Sequence, residues 1–214
     1  MARIIQDFIP TSLPTRPGIS LDPEFITIHN TDNTNPGAGA AAHNRYVRGT
    51  DAVGRRVSWH YTVDDRVAYQ HLPADEVGWH AGKSANTSSI GIEICMNADM
   101  DTTQGYNNAV ALVAFCVKDL NLSFPACIKQ HNDWTGKNCP RAIRAGQVIA
   151  WSTFLDRIQD SLNAASKKDF DIPVEILGVD TDGPEWDPEN AEEILRSIDK
   201  AFAKHAFESA TTDQ

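Results

Sequence analysis

The sequence predicts an α/β domain, and three observations predict it. Residues 25–29 (Phe-Ile-Thr-Ile-His) and 89–95 (Ser-Ile-Gly-Ile-Glu-Ile-Cys) are short, apolar, β-branched runs of buried-strand length. Residues 56–63 alternate like a strand, Asp64-Asp65 is a turn, and residues 66–71 pair back as a hairpin. Residues 106–120 have helical spacing, with Val110, Val113, Ala114 and Val117 on one face.

Taken in order, residues 1–23 are Pro-rich (Pro10, Pro14, Pro17, Pro23) and read as an irregular arm lying on the domain. After the strand at 25–29 comes a loop at 33–39, then a helix at 40–47 that ends before Gly49. Beyond the hairpin, residues 73–89 form a long polar loop containing Gly78-Trp79-His80-Ala81-Gly82; a loop of that length is usually functional or mobile. Residues 126–129 suggest a short edge strand leading into His131, residues 141–146 a short helix and 147–164 a longer one. After Ala165 the composition changes. Residues 172–179 look like a strand, and Asp187-Pro188-Glu189 starts a helix with an apolar stripe through Ile194, Leu195, Ile198, Phe202 and Ala206. The expected division is a catalytic domain at 1–165 and a small α+β tail at 166–214.

Composition excludes some functions. The net charge is −10, and residues 167–214 hold thirteen acids against five Lys/Arg, which leaves −2 elsewhere. So acidic a chain is a poor candidate for gripping nucleic acid, whose affinity rests on Lys and Arg. There is no apolar run long enough for a membrane span. The start lacks the basic stretch and apolar core of a signal peptide, so the chain is expected to be made in a cytoplasm and not to leave by that route. Cys95, Cys116, Cys127 and Cys139 lack the spacing of a disulfide scaffold and read as thiols or metal ligands.

The chemistry centres on residues 130–140, where His131 and Cys139 stand eight apart with Lys137 two before the cysteine. Imidazole and thiolate are zinc ligands. A third ligand must come from elsewhere, and His29, at the end of an apolar strand, is the best candidate. Three protein ligands with the fourth position left to water is the catalytic zinc arrangement. Glu93 is a carboxylate inside an apolar strand, expensive unless paired or functional. Beside zinc it would take a proton from the attacking water. Lys137 would point at the oxyanion. Metal, base and oxyanion partner together describe amide hydrolysis.

With these residues in view, the chain resembles the zinc-dependent N-acetylmuramoyl-L-alanine amidases related to phage type-2 amidase endolysins and to peptidoglycan recognition proteins. The resemblance is carried by residues 26–31, 57–65, 78–82, 89–95 and 131–140, and covers roughly residues 22–155. It is nearest to endolysins of phages and prophages of Bacillus-like Gram-positive bacteria. It implies a central mixed sheet flanked by helices, with one zinc per catalytic domain held by His29, His131 and Cys139. It implies Glu93 as catalytic carboxylate and Lys137 as transition-state partner. The implied substrate is bacterial peptidoglycan, cut between N-acetylmuramic acid and L-alanine, without nucleic acid or membrane insertion; the oligomeric state stays open. Trp59 falls where other branches carry a tyrosine near the metal. Trp59, Trp79 and His80 are the expected substrate contacts, the last two equally readable as loop anchors. His60 reads as a core or supporting residue, and His205 falls on the tail helix. The tail occupies the place of a wall-binding module, with wall binding, oligomerisation or capping of the domain all open. A phage lysin reaching the wall after release fits the missing signal peptide. Two other functions compete: a peptidoglycan-binding protein that does not cut, and a cysteine hydrolase with Cys139 as nucleophile.

Overall fold

The computed structural model describes residues 3–165 and 174–176. Its strands are β1 (Arg3–Gln6), β2 (Phe25–Asn30), β3 (Tyr61–Val63), β4 (Val67–Gln70), β5 (Ser89–Ile94), β6 (Ile128–Gln130) and β7 (Val174–Ile176). Its helices are α1 (Ala40–Tyr46), α2 (Thr50–Arg55), α3 (Lys83–Asn86), α4 (Thr102–Asp119), α5 (His131–Thr135), α6 (Arg141–Arg144) and α7 (Trp151–Ala165). One sheet runs in the order β6-β2-β5-β3-β4-β1-β7. The β3–β4 hairpin is antiparallel and the other pairings are parallel, so the sheet is mixed, as the family resemblance implies. Among the described residues no helix is long and apolar enough to cross a membrane.

Side chains alternate across a strand, and here the alternation separates packing from chemistry. Ile26 and Ile28 of β2, Tyr61 and Val63 of β3, and Ile90, Ile92 and Ile94 of β5 join Val110, Val113 and Val117 of α4 and Phe154 and Ile158 of α7 in the main core. The intervening positions, Thr27, His29, Thr62, Gly91 and Glu93, face the other way. Glu93 therefore does not interrupt an apolar strand. It belongs to a polar face of the same strand, yet is only 4% exposed.

A second cluster lies under the arm and α1: Ile9, Ala42, Tyr46, Val47, Ala52, Trp59 and Leu72. Trp59 is 1% exposed and stacks on Tyr46 at 6.1 Å. Its Nε1 donates to Thr62 Oγ1 at 2.6 Å, which lies 2.8 Å from His71 Nε2. This corrects the expected substrate contact at Trp59: a wholly enclosed ring presents no surface to a polymer. Replacing Trp59 with Ala should destabilise the fold by roughly 3–5 kcal/mol, the usual cost of emptying a buried aromatic site. Urea unfolding checks this, and a cost below roughly 1 kcal/mol would show that the ring is not a core element.

Several elements depart from the sequence expectations. The arm is irregular only from Asp7. Before it, β1 lies between β4 and β7 with Ile4 and Ile5 both buried. Helix α4 starts earlier than its apolar stripe, because Asp101 accepts from the Gln104 N–H at 3.0 Å as an N-cap. Regular β3 is shorter than the alternating run. The stretch before it pairs instead with loop and strand backbone, Ser58 N–H to Trp79 O and His60 N–H to Gly91 O. The 73–89 loop contains α3, and α2 and α5 are further short helices the periodicity did not show. Across the expected boundary at 165, β7 adds to the same sheet through Ile4–Val174 and Ile5–Glu175 registers, with Arg3 paired to Glu175 at 2.9 Å. The expected tail helix, including His205, lies outside the described residues.

Candidate metal centre

Three elements bring the candidate ligands together. His29 sits near the end of β2, in register with Glu93 on the adjacent β5. Parallel β6 beside β2 delivers the chain to α5, whose first residue is His131. Gln130 and Asp133 cap α5 reciprocally, the Gln130 N–H donating to Asp133 Oδ2 at 2.8 Å. Trp134 fastens α5 to the sheet by donating to Thr27 Oγ1 at 2.9 Å and packing edge-on against Phe25. Gly136 ends α5 at φ 75°, a left-handed turn that costs glycine little. The chain then folds back. Asn132 holds the return: its N–H donates to the Cys139 carbonyl at 2.9 Å, and its Nδ2 to the Lys137 carbonyl at 2.7 Å.

The result is a buried triad. His29 Nδ1 lies 3.1 Å from His131 Nδ1 and 3.8 Å from Cys139 Sγ, and one donor atom from each residue lies within 4.8 Å of the others. Donors on a tetrahedral zinc, with N at ~2.0–2.1 Å and S at ~2.3 Å, stand roughly 3.4–3.6 Å apart. The spacing and the N,N,S donor set therefore fit one such ion. Glu93 Oε1 is 3.8 Å from His29 Nδ1, and Glu93 Oε2 is buried without a hydrogen-bond partner. A buried carboxyl oxygen without a partner is rare in a folded protein, and this one lies beside the three candidate ligands.

The surroundings of Glu93 favour its neutral, protonated form. Burial pushes the Glu93 carboxyl up to about 8; the Lys137 charge opposes the shift and Asp32 adds to it. Burial, then Glu93, pushes the Cys139 thiol up to about 12, against the pull of Lys137. A thiol so raised is a poor free nucleophile, but a coordinating cation deprotonates it outright. Lys137 is thus close enough to bear on both groups.

Among the expected substrate contacts, His80 turns inward. Its Nδ1 lies 3.1 Å from His29 Nε2, and burial pushes its imidazole down to about 3, His60 adding to the effect. Trp79 is half-buried against the main core. It ties the loop through the Ser58 hydroxyl, which accepts from its N–H at 3.2 Å. His60 is enclosed, with burial holding its ring at about 4. Cys95, Cys116 and Cys127 are free, buried thiols away from the triad.

Two supporting residues escaped the sequence reading. Asn132 clamps the ligand turn as described. Asn30 donates to the Tyr106 hydroxyl at 3.1 Å and accepts from Ala142 N–H at 3.0 Å, docking α6 beside Cys139. Each directly follows a candidate ligand histidine. His-Asn pairs stand at 29–30, 43–44 and 131–132, so the pairing alone did not single these two out.

The chain is similar to known proteins. The family model described as N-acetylmuramoyl-L-alanine amidase matches residues 20–142. The chain is similar to N-acetylmuramoyl-L-alanine amidase XlyA of Bacillus subtilis (strain 168), 47% identical over 157 residues covering 72% of this chain and 50% of XlyA. It is 44% identical to the amidase CwlH of the same organism over 165 residues, 75% of this chain and 63% of CwlH. Among solved structures, the catalytic domain of XlyA superposes with a TM-score of 0.68 at 46% identity, over 73% of this chain and 99% of that one. The chain thus spans half to under two thirds of these curated relatives.

Proposed function

Because this chain belongs to the N-acetylmuramoyl-L-alanine amidase family, we propose that it is an endolysin-like peptidoglycan hydrolase cutting the amide between N-acetylmuramic acid and L-alanine. The observation that carries this reading is the buried His29–His131–Cys139 triad with the unpartnered oxygen of Glu93 beside it. The three residues would hold zinc. When bound, zinc supplies a Lewis acid that polarises the scissile carbonyl, lowers the pKa of water to ~7 and draws the Glu93 carboxyl back to its charged form.

The chain's own residues do the rest. Glu93 accepts the proton of the attacking water at Oε2 and hands it to the leaving L-alanine nitrogen. Lys137 places its ammonium against the oxyanion. Burial of Glu93 and the ligands keeps competing water from the reacting atoms. Wall binding, oligomerisation or capping of the domain by residues 166–214 belongs to the same proposal.

The cysteine-hydrolase reading fits poorly, because Cys139 is 3% exposed with its thiol raised rather than activated. The test is mass spectrometry of purified Gram-positive peptidoglycan digested with the zinc-loaded protein and with a chelated control. New L-alanine amino termini with intact glycan strands, seen only with metal, are the expected result. Wall binding without new termini would move the protein to the non-catalytic class. Replacing Lys137 with Met should lower kcat by about a hundredfold with little change in KM, the usual loss of one oxyanion donor. A fall below roughly threefold would remove Lys137 from the chemistry.

A further inference from the structure

The ligand His29 is held from behind by hydrogen bonds that leave each nitrogen one role. His80 Nε2 lies 3.2 Å from the Ser89 carbonyl oxygen. A carbonyl only accepts, so His80 Nε2 carries the proton and, in a neutral ring, its Nδ1 is an acceptor. That acceptor is 3.1 Å from His29 Nε2. His29 must then donate from Nε2, which leaves the lone pair of Nδ1 directed at His131 and Cys139, 3.1 and 3.8 Å away.

The seat of the His80 ring is built just as specifically. A Cβ on Gly91 would come within 2.8 Å of His80 Cγ and 2.9 Å of Nδ1, so only glycine lets the ring lie on β5 here. His60 also braces Gly91. The Gly91 N–H donates to His60 Nδ1 at 3.0 Å, the His60 N–H donates to the Gly91 carbonyl at 3.0 Å, and His60 Nε2 donates to the Glu76 carbonyl at 2.8 Å. On the loop side, Asn86 Oδ1 accepts from the N–H groups of His80 and Ala81, each at 2.9 Å. The rings of His29, His80 and His60 follow one another edge to face, at 5.2 and 6.0 Å.

We propose that His80, seated on Gly91 and braced by His60, is a positioning residue that fixes His29 as its Nε2–H tautomer and so presets His29 Nδ1 for the metal. This rests on the reading of His29 as a ligand, and it replaces substrate contact as the role of His80. A partner on the outer nitrogen of a ligand histidine orients the ring and raises its basicity, and its loss typically weakens metal binding 10–100-fold.

The test measures zinc affinity of the full chain by competition with a chromophoric chelator. His80→Leu fills the space without an acceptor and should weaken zinc binding by roughly 10–100-fold. His80→Asn puts a carbonyl oxygen where Nδ1 stood and should recover most of that loss. Gly91→Ala displaces the ring with its acceptor intact and should behave like His80→Leu. In addition, long-range proton–nitrogen NMR of the zinc-free protein should show His29 protonated on Nε2. Unchanged affinity in a folded His80→Leu overturns the proposal, as does equal loss in the Leu and Asn variants. Should His80→Leu fail to fold, the Asn variant and the tautomer decide, and a His29 protonated on Nδ1 overturns it. Failure of the unsubstituted chain to bind zinc counts instead against the proposed function, so the two failures are distinguishable.

Discussion

Replacing Glu93 with Gln should lower the rate of amide cleavage by roughly 10²–10⁴-fold, the usual worth of a positioned general base, while zinc content stays at the level of the unsubstituted protein. Glu93 Oε1 stands 3.8 Å from His29 Nδ1, and an amide of the same shape should leave the triad in place. The variant should also unfold no more easily than its parent. Glu93 is buried, its carboxyl is pushed up to about 8 by that burial, and its Oε2 has no partner. An unsatisfied buried carboxylate is a cost to the fold, and an amide of the same shape carries less of it. Cleavage assays on purified wall, zinc analysis and thermal unfolding, all on the same preparation, check the three expectations. Undiminished wall clearance would sink the assignment of Glu93 as base. Loss of zinc along with activity would make Glu93 a structural support of the triad.

Replacing Cys139 with Ser should remove most bound zinc and, with it, most cleavage. A serine hydroxyl does not ionise to a soft anionic ligand as a thiol does, and the remaining nitrogen pair is too few to hold a catalytic ion. Chelation of the unsubstituted protein should do the same reversibly, with zinc restoring cleavage. A zinc ion held by the folded triad and not by the dispersed chain should also stabilise the fold, by about 4 kcal/mol at a thousandfold excess over Kd. Elemental analysis and calorimetry read these effects. Unchanged zinc stoichiometry in Cys139→Ser would strike Cys139 from the ligand set. Cleavage that survives chelation but stops on alkylation would establish thiol chemistry instead.

Much of the fold was legible because its principal elements are long or strongly patterned. The strands β2 and β5 show as β-branched runs, and α4 and α7 as helical stripes. The elements missed were short or defined by partners distant in sequence. β1 is four residues that become a strand only by lying between β4 and β7. α5 is five residues held by its capping box and by the Trp134–Thr27 bond. Neither has enough length for a periodic signal. The side chains with ligand chemistry were legible, because few residue types supply it. Trp59 was misplaced, and His80 left between substrate contact and loop anchor, for one reason: a residue's type does not say which way it points. Trp59 faces the second core, and His80 faces the back of a ligand.

By itself the sequence determined the inventory: two histidines, a cysteine and a carboxylate, on or beside strands whose alternation sets one face apolar and the other polar. Only the tertiary structure decided that His29 and His131, 102 residues apart, stand 3.1 Å from each other, with Glu93 in register beside them and His80 behind. The physical reason is that side-chain chemistry and strand periodicity are local properties of a chain. The distance between two side chains is set by strand register, by the crossover that delivers α5, and by the two Asn132 hydrogen bonds that fold Cys139 back onto His131.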